Sequence, residues 1–482
     1  MPSLSDLRSR VTTLPGTARL REALAVPSAE VVAASPPGAR PAVVSALSPT
    51  PAGSPVLAVT ATGREAEDLQ AALESSLGPG VVGLFPSWET LPHERLSPRS
   101  DTVGQRLSVL RRLAHPDEGD ETHGPLSVVV APVRAVLQPI VTGLGDLRPV
   151  ALHAGDEVPL ERVVEDLAAA AYARTDLVER RGEFAVRGGI LDVFPPTEEH
   201  PLRLEFWGDT VEEIRWFKVA DQRSLEVADH GLWAPPCREL LLTDAVRQRA
   251  AALAEVLPGA ADLLEKLSQG IAVEGMESLA PALVDGMETL LDVLPEGALL
   301  VACDPERVRT RAHDLTETSQ EFLEAGWANA ASGNAVPIDL QAVLGTASFR
   351  TIAELRSHAR ELGVRWLDLT PFGGDGEDGV VDLGLEASPT FRGNTEDAVA
   401  ELRRLVADDW SVLVATEGPG LAKRVAEVLA EHDVASRLVT DGASPAPGLV
   451  TVTTGGVGPG FLVPGARLAV VTESDLTGSA AG

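Results

Sequence analysis

A short stretch near the middle of the chain alternates apolar and polar residues in the way that a half-buried β-strand requires. Residues 202–206 are LRLEF, and the turn-forming sequence WGD follows at residues 207–209. Alternation with a period of two places one set of side chains on one face of a sheet and the other set on the opposite face. A similar strand-turn-strand pattern surrounds Gly188 and Gly189. Residues 172–225 are therefore predicted to form a compact antiparallel β-domain with one apolar face.

Arginine supplies every basic side chain in the first part of this region. Between residues 172 and 187 these are Arg174, Arg180, Arg181 and Arg187. Arginine is suited to bidentate ion pairs, and protein interfaces are enriched in it and depleted in lysine. Two interpretations stay open at this point, a solvated polar surface and a face that docks another protein.

A sequence pattern that begins at Arg174 carries a resemblance to known families. It has the form RxxxxExRGEFxxRGGILDxFP, and RLEFWGD and DQRSL follow it. This pattern resembles domain 2 of the bacterial excision-repair protein UvrB, and more closely the matching domain of transcription-repair coupling factors. In both families the domain binds UvrA. The resemblance implies that Arg174 and Arg187 contact UvrA, with Arg180, Arg181 and Phe194 as weaker candidates.

Strands and helices alternate in the rest of the chain, which predicts an α/β multidomain fold. Apolar runs at residues 56–60, 81–85, 127–131 and 298–303 suit buried parallel strands, and helical patterns separate them. The strand at 298–303 is expected to return to the first sheet, so the β-domain is an insertion. By the resemblance, the parallel α/β body is UvrB-like.

The domain boundaries follow from these patterns. We expect the body at residues 1–150 and 236–369, the inserted β-domain at 151–235, a glycine-rich acidic linker at 370–394 and a small separate α/β domain at 395–482. Within the second part of the body, one helix is predicted from Pro281 to Asp292. A longer helix is predicted from Glu306 to Ala328, with Phe322 on its apolar side.

The chain lacks the residues that a nucleotide site of the UvrB type needs. A P-loop has the form GxxxxGK[ST], because backbone amides and a lysine hold the phosphates. The stretch that occupies its place, residues 33–47, has one glycine, Gly38, and no lysine. We therefore expect a degenerate P-loop, no ATP binding and no other cofactor.

A second departure from UvrB concerns the hairpin that inserts into damaged DNA. Residues 85–101, FPSWETLPHERLSPRSD, resemble the coupling-factor form of this region. A helix is predicted from Gln105, seven residues after Pro98, and the whole chain has one tyrosine. This leaves no room for the tyrosine-rich hairpin of UvrB. Glu89, His93 and Glu94 are interpreted as surface or capping groups, since no nucleophile accompanies them.

Net charge and composition limit the classes of function and location that remain open for the chain. A net charge of −31 argues against broad nucleic-acid binding, which needs clustered lysine and arginine. No apolar run approaches the roughly 18 residues of a membrane helix, so no membrane partner and a cytoplasmic location are expected. Cys237 and Cys303 lack the spacing of a disulfide framework or a metal site, and are predicted to be buried.

Residues 473–476, ESDL, resemble a sequence that lies just before the polymerase-interacting and motor domains of coupling factors. The resemblance implies a catalytically inert UvrA-binding N-terminal module that recruits nucleotide excision repair to stalled RNA polymerase. Contacts with RNA polymerase and DNA, and the use of ATP, would belong to domains absent from this chain. Two alternatives stay open: a UvrB-type ATPase that binds damaged DNA, and an unrelated α/β enzyme.

Overall fold

The computed structural model describes residues 4–91, 94, 96–331, 343, 346–373, 379–440, 442, 444–455 and 458–478. Within these residues, three large sheets organise the chain. One has seven parallel strands, one has six mainly antiparallel strands, and one has six strands of mixed direction. The predicted α/β multidomain fold with an inserted β-domain is confirmed.

The N-terminal part of the chain supplies four of the seven strands of the parallel sheet. Its elements are α1 (Ser5–Thr12), α2 (Pro15–Leu24), β1 (Glu30–Ala34), α3 (Arg40–Ala46), β2 (Val56–Thr60), α4 (Gly63–Leu77), β3 (Val82–Leu84), α5 (Ser100–Ala114), β4 (Val128–Pro132), α6 (Val133–Leu137) and β5 (Ile140–Val141). All residues of β2 are buried, as expected of an apolar strand covered on both faces. Thr62 begins α4 by accepting a hydrogen bond from the Glu65 N–H at 3.2 Å.

The inserted β-domain contains a six-stranded sheet, a helix that covers one face and a two-stranded ribbon. Its elements are β6 (Val150–Leu152), α7 (Leu160–Ala169), β7 (Ala173–Arg174), β8 (Glu183–Arg187), β9 (Ile190–Val193), β10 (Leu202–Trp207), β11 (Thr210–Phe217), β12 (Ser224–Val227) and β13 (Leu232–Ala234). The strand order in the sheet is β12-β11-β10-β9-β8-β7, and β13 pairs with β6 in the ribbon. Val163 and Leu167 of α7 join the buried core on one side of the sheet.

A group of short elements follows the β-domain. They are α8 (Asp244–Val256), α9 (Ala261–Ser268), α10 (Ala280–Leu283), β14 (Met287–Glu288) and α11 (Leu290–Val293). The prediction of one helix from Pro281 to Asp292 is wrong. The helix ends at Leu283, before the glycine at 286, which disfavours a helix, and β14 pairs with β5. Thr289 and Asp292 then cap α11 reciprocally.

The chain then returns to the parallel sheet, as predicted. The returning elements are β15 (Leu299–Cys303), α12 (Pro305–Ala330), α13 (Ile352–Leu362), β16 (Arg365–Thr370) and β17 (Val380–Asp382). Strand β15 lies between β2 and β16, and the sheet order is β17-β1-β16-β15-β2-β4-β3. Asp304 caps α12, with Pro305 in its first turn. The placement of Phe322 on the buried side of α12 is wrong, because Leu323 is buried there and Phe322 is exposed.

The C-terminal elements form the mixed sheet. They are β18 (Glu386–Ala387), α14 (Thr395–Ala407), β19 (Ser411–Thr416), α15 (Pro419–Glu431), β20 (Ser436–Leu438), β21 (Val450–Thr454), β22 (Phe461–Val463), β23 (Leu468–Thr472) and α16 (Glu473–Thr477). The segment 370–394, expected to be a linker, contributes β17 to the parallel sheet and β18 to the mixed sheet.

The C-terminal sheet and the parallel body share a buried core. Leu7 and Val11 of α1 lie in one cluster with Ala42 of α3 and with Leu413 and Val470 of the mixed sheet. The backbones also approach closely at Gly38, in the stretch 33–47 discussed above. A Cβ atom on Gly38 would be 2.3 Å from the carbonyl oxygen of Gly460, so this position has room only for glycine.

Candidate protein-docking face

The sheet of the β-domain has two chemically different faces. The inner face carries Phe184, Leu191, Leu204 and Ile214, which are buried in one apolar core with α7. The opposite face, which we call the outer face, carries the mainly polar set Arg187, Asp192, Arg203, Glu205, Trp207 and Arg215, beside the buried apolar side chains of Ala185 and Phe217. Strand register places Asp192 opposite Arg203, and Arg203 opposite Arg215, on this face. Strand alternation therefore directs a row of charged side chains away from the core.

One buried carboxylate organises the outer face. Asp192 is almost fully buried, and both of its oxygens accept hydrogen bonds from Arg203, at 2.8 and 3.1 Å. The Arg203 guanidinium lies over the Phe217 ring at 4.4 Å and donates to the Gln222 carbonyl at 2.9 Å. A bidentate pair of this kind fixes the orientation of both side chains. Arg203 is thus a rigid part of the face.

Arg187 shares the same carboxylate but is held less tightly. One of its terminal nitrogens donates to Asp192 Oδ2 at 3.3 Å, and 54% of its side chain is exposed. The other guanidinium N–H groups of Arg187 can therefore donate to a partner. Asp192 limits the positions that this guanidinium can take.

The other predicted site residues lie away from Arg187. Arg181 is at the opposite end of β8, where its Nε donates to the Glu198 carbonyl at 2.8 Å and its guanidinium stacks 5.3 Å from the centre of the Phe194 ring. Phe194 is 6% exposed and packs with Phe217. The structure therefore places Phe194 beneath Arg181, in the interior.

Arg174 and Arg180 are both exposed. In the part of the chain that the structure describes, neither side chain has a hydrogen-bond or ion-pair partner. Arg174 lies on the edge strand β7 and pairs with Phe184, so its register places it on the inner-face side at the sheet edge. Arg187 pairs with Ile190 on the outer face. The five predicted residues are thus distributed over both ends and both sides of the sheet.

Sequence reasoning passed over several residues of the outer face, namely Asp192, Arg203, Glu205, Trp207 and Arg215. The alternating pattern of β10 could have identified some of them, because burial of Leu202 and Leu204 requires their neighbours along the strand to point outward. No sequence pattern indicates that Arg187 and Arg203 share the Asp192 carboxylate. It depends on the register between β9 and β10, which places Asp192 opposite Arg203.

The polar residues of the 85–101 segment have structural partners. Glu89 accepts hydrogen bonds from the Thr102 hydroxyl and from the Arg99 N–H, at the start of α5. Glu94 accepts from the Leu91 N–H at 3.1 Å. This agrees with their interpretation as capping groups, while His93 lies outside the described residues.

Neither cysteine resembles a reactive thiol. Both are buried, as predicted, and burial raises the pKa of Cys237 to about 12 and that of Cys303 to about 11. Within the described ranges, no group of three or more His, Cys, Asp or Glu side chains could hold a metal ion. In the same ranges no helix combines the length and the apolarity that crossing a bilayer requires.

Comparison with known proteins assigns the β-domain to a family. Residues 150–235 match the family model described as the UvrB interaction domain. The chain is 48% identical over 466 residues to the transcription-repair-coupling factor of Mycobacterium tuberculosis, a match that covers 93% of this chain and 37% of the relative. With the Bacillus subtilis protein of the same name, identity is 25% over 461 residues, covering 91% of this chain and 37% of the relative.

The Escherichia coli transcription-repair-coupling factor matches over a shorter span, at 32% identity over 167 residues, or 33% of this chain and 14% of the relative. In the first two comparisons the chain spans little more than a third of the relative's length. Residues 150–235 are therefore a UvrB interaction domain, in a chain that corresponds over nearly its whole length to the N-terminal region of transcription-repair-coupling factors.

Proposed function

We propose that the outer face of the β-domain binds UvrA, and that the chain is the UvrA-docking module of a transcription-repair-coupling factor. The observation that carries this proposal is the coincidence of the UvrB interaction domain with the polar sheet face described above. In the proposed role, the module recruits nucleotide excision repair to stalled RNA polymerase. Contacts with RNA polymerase and DNA belong, on this proposal, to parts of coupling factors outside the span that this chain matches.

The geometry of the outer face supports a docking role. Arg203 and Asp192 lock each other in place, and Arg187 presents a half-exposed guanidinium beside them. Arginine anchors that are already ordered lose less conformational entropy on binding, and arginine is enriched among the residues that dominate interface energies. An acidic group on the partner would complete the hydrogen bonding of Arg187.

We further propose that the chain has no catalytic activity and no cofactor of its own. The loop in the place of a P-loop is packed at Gly38 against the backbone of Pro459 and Gly460. Its sequence offers no lysine for a phosphate. Glu89 is engaged in hydrogen bonds at the start of α5.

The proposal is tested by measuring the affinity of the chain for purified UvrA. Arg187→Ala is expected to weaken binding by about 2 kcal/mol, the magnitude of an interface hot spot. Arg174→Ala, made in parallel, tests whether the edge strand takes part. The matched control is Arg424→Ala, which removes an arginine with a 61% exposed side chain from the C-terminal domain and should leave affinity unchanged.

ATP turnover and binding to damaged DNA are recorded with the same preparations. Neither is expected above background. Turnover by the chain would support the alternative of a UvrB-type ATPase. Failure of the wild-type chain to bind UvrA would refute the docking proposal.

A further inference from the structure

Trp207 stands apart from the other tryptophans of the chain. Six of the seven are buried or half-buried, whereas Trp207 leaves 78% of its surface exposed. Exposure of so large an apolar side chain is unusual, and tryptophan is the residue type most enriched at interface hot spots. Trp207 thus needs an explanation beyond the packing of the β-domain.

The backbone that carries Trp207 is fixed on several sides. Trp207 pairs with Thr210 across the tight β10–β11 turn, where Gly208 has a φ of 60°. From outside this hairpin, the Val158 N–H donates to the Asp209 carbonyl at 2.7 Å. An aromatic side chain on an ordered backbone loses little entropy on binding. Trp207 is therefore presented in a position from which it can enter a pocket of a partner.

Trp207 lies on the outer face, at the same end as Arg187. It continues the outward row of Arg203 and Glu205 along β10. The neighbouring β8–β9 turn, which Arg187 precedes, is held against β10 because the Phe206 N–H donates to the Gly189 carbonyl at 2.8 Å. A Cβ on Gly189 would lie 2.9 Å from the Phe206 carbonyl oxygen, so glycine permits this approach.

The surroundings of Trp207 are acidic. Glu205 precedes it by two positions, Asp209 follows in the turn, and Glu157 pairs with Thr210 at the turn end of the hairpin. All three carboxylates belong to exposed residues. A partner that receives Trp207 therefore meets an aromatic ring within a rim of negative charge. Basic side chains complement such a rim, and a cation also binds favourably to the face of an indole ring.

We infer that Trp207 is a binding anchor of the outer face, inserted into an apolar pocket of UvrA that is rimmed by lysine or arginine. This inference rests on the proposed function. UvrA would then have to present an acidic group to Arg187 and, beside it, basic groups to the surroundings of Trp207. Two adjacent requirements of opposite sign fix the register of the partner and exclude a surface that satisfies only one.

The test compares Trp207→Ala and Trp207→Phe with the wild-type chain in binding to purified UvrA. Trp207→Ala is expected to raise the Kd at least about tenfold. Trp207→Phe, which keeps an aromatic ring, is expected to raise the Kd by less. The matched control is Phe372→Ala, because Phe372 is also 78% exposed but lies outside the β-domain. Thermal unfolding curves of the variants should coincide with that of the wild type, since neither side chain is buried.

A charge variant identifies the chemistry of the partner's pocket. Glu205→Lys should weaken binding more than Glu205→Gln if the rim on UvrA is basic. Tighter binding of Glu205→Lys would show the opposite rim and overturn that part of the inference. Wild-type affinity of Trp207→Ala would overturn the anchor role, whereas a wild-type chain that fails to bind UvrA would instead refute the proposed function.

Discussion

At the scale of single residues, Asp192 determines how the outer face is arranged. Its buried carboxylate binds Arg203 through two hydrogen bonds and Arg187 through one. Without this carboxylate, the largely buried Arg203 would lose its counter-charge and Arg187 its only anchor on the face among the described residues. The same residue therefore contributes to stability and to the order of the proposed docking face.

We expect Asp192→Ala to lower the free energy of unfolding of the β-domain by about 3 kcal/mol, because it leaves a largely buried guanidinium uncompensated. The change is measured by urea unfolding. The matched control is Asp221→Ala, which removes an exposed carboxylate lying 3.9 Å from an exposed arginine and should cost less than about 1 kcal/mol. Equal losses in the two variants would contradict the role given to Asp192.

At the scale of elements, a second buried pair joins helix α5 to the segment that follows the β-domain. Arg106 of α5 is fully buried, and Glu239, just beyond β13, accepts from it at 2.9 and 3.1 Å. The Trp88 indole N–H donates to the same carboxylate at 2.8 Å, and the guanidinium lies over the Phe85 ring. Helix α5, the segment before it and the exit from the β-domain therefore meet at one cluster.

Glu239→Gln is expected to lower the stability of the chain by about 3 kcal/mol or more, since Arg106 has no access to water. Thermal unfolding monitored by circular dichroism measures the effect. Glu306→Gln is the matched control, because it breaks an exposed ion pair within α12 that is worth about 0.5 kcal/mol or less. A Glu239→Gln variant as stable as the control would show that the cluster does not join these elements.

Elements with a strong local pattern could be predicted from the sequence, and those decided by distant contacts could not. Strand β2 and helix α4 follow directly from an apolar run and from the helical spacing of apolar residues. The prediction of a helix at residues 281–292 was wrong because β14 pairs with β5, which competes with helix formation. The two strands are far apart in sequence, as the 145 positions between the hydrogen-bonded residues Gly143 and Glu288 show. The same limit applies to the docking face. Alternation predicts that Arg203 points outward, but the pairing of Arg203 with Asp192 depends on strand register.

At the scale of the whole molecule, the C-terminal domain packs on the body at Gly38, in the stretch that by sequence order stands in place of a P-loop. Gly38 lies against Pro459 and Gly460, and the shared apolar cluster surrounds this contact. Bulk added at Gly38 must push the two backbones apart. The loss of stability caused by added bulk at Gly38 therefore reports how strongly this contact holds the two domains together.

Gly38→Ala is expected to lower the stability of the chain by about 1 to 3 kcal/mol, the usual cost of overpacking, and to increase the rate of cleavage by a protease. Gly63→Ala is the matched control, because a Cβ there meets no atom within 4 Å and alanine favours the start of α4. If both variants behave alike, the contact at Gly38 does not hold the domains together.

The two-stranded ribbon at the base of the β-domain has a consequence for engineering. Val150 pairs with Ala234 and Leu152 with Leu232, so the chain enters and leaves the β-domain side by side. Antiparallel partners lie only about 5 Å apart, a distance that a short turn can close. Residues 150–235 could thus be exchanged for the equivalent segment of a relative, provided that the packing of Trp233 on His123 and of Pro196 on Gly104 is kept. If the proposed function is correct, chimaeras made this way are expected to transfer the docking face between proteins as a single segment.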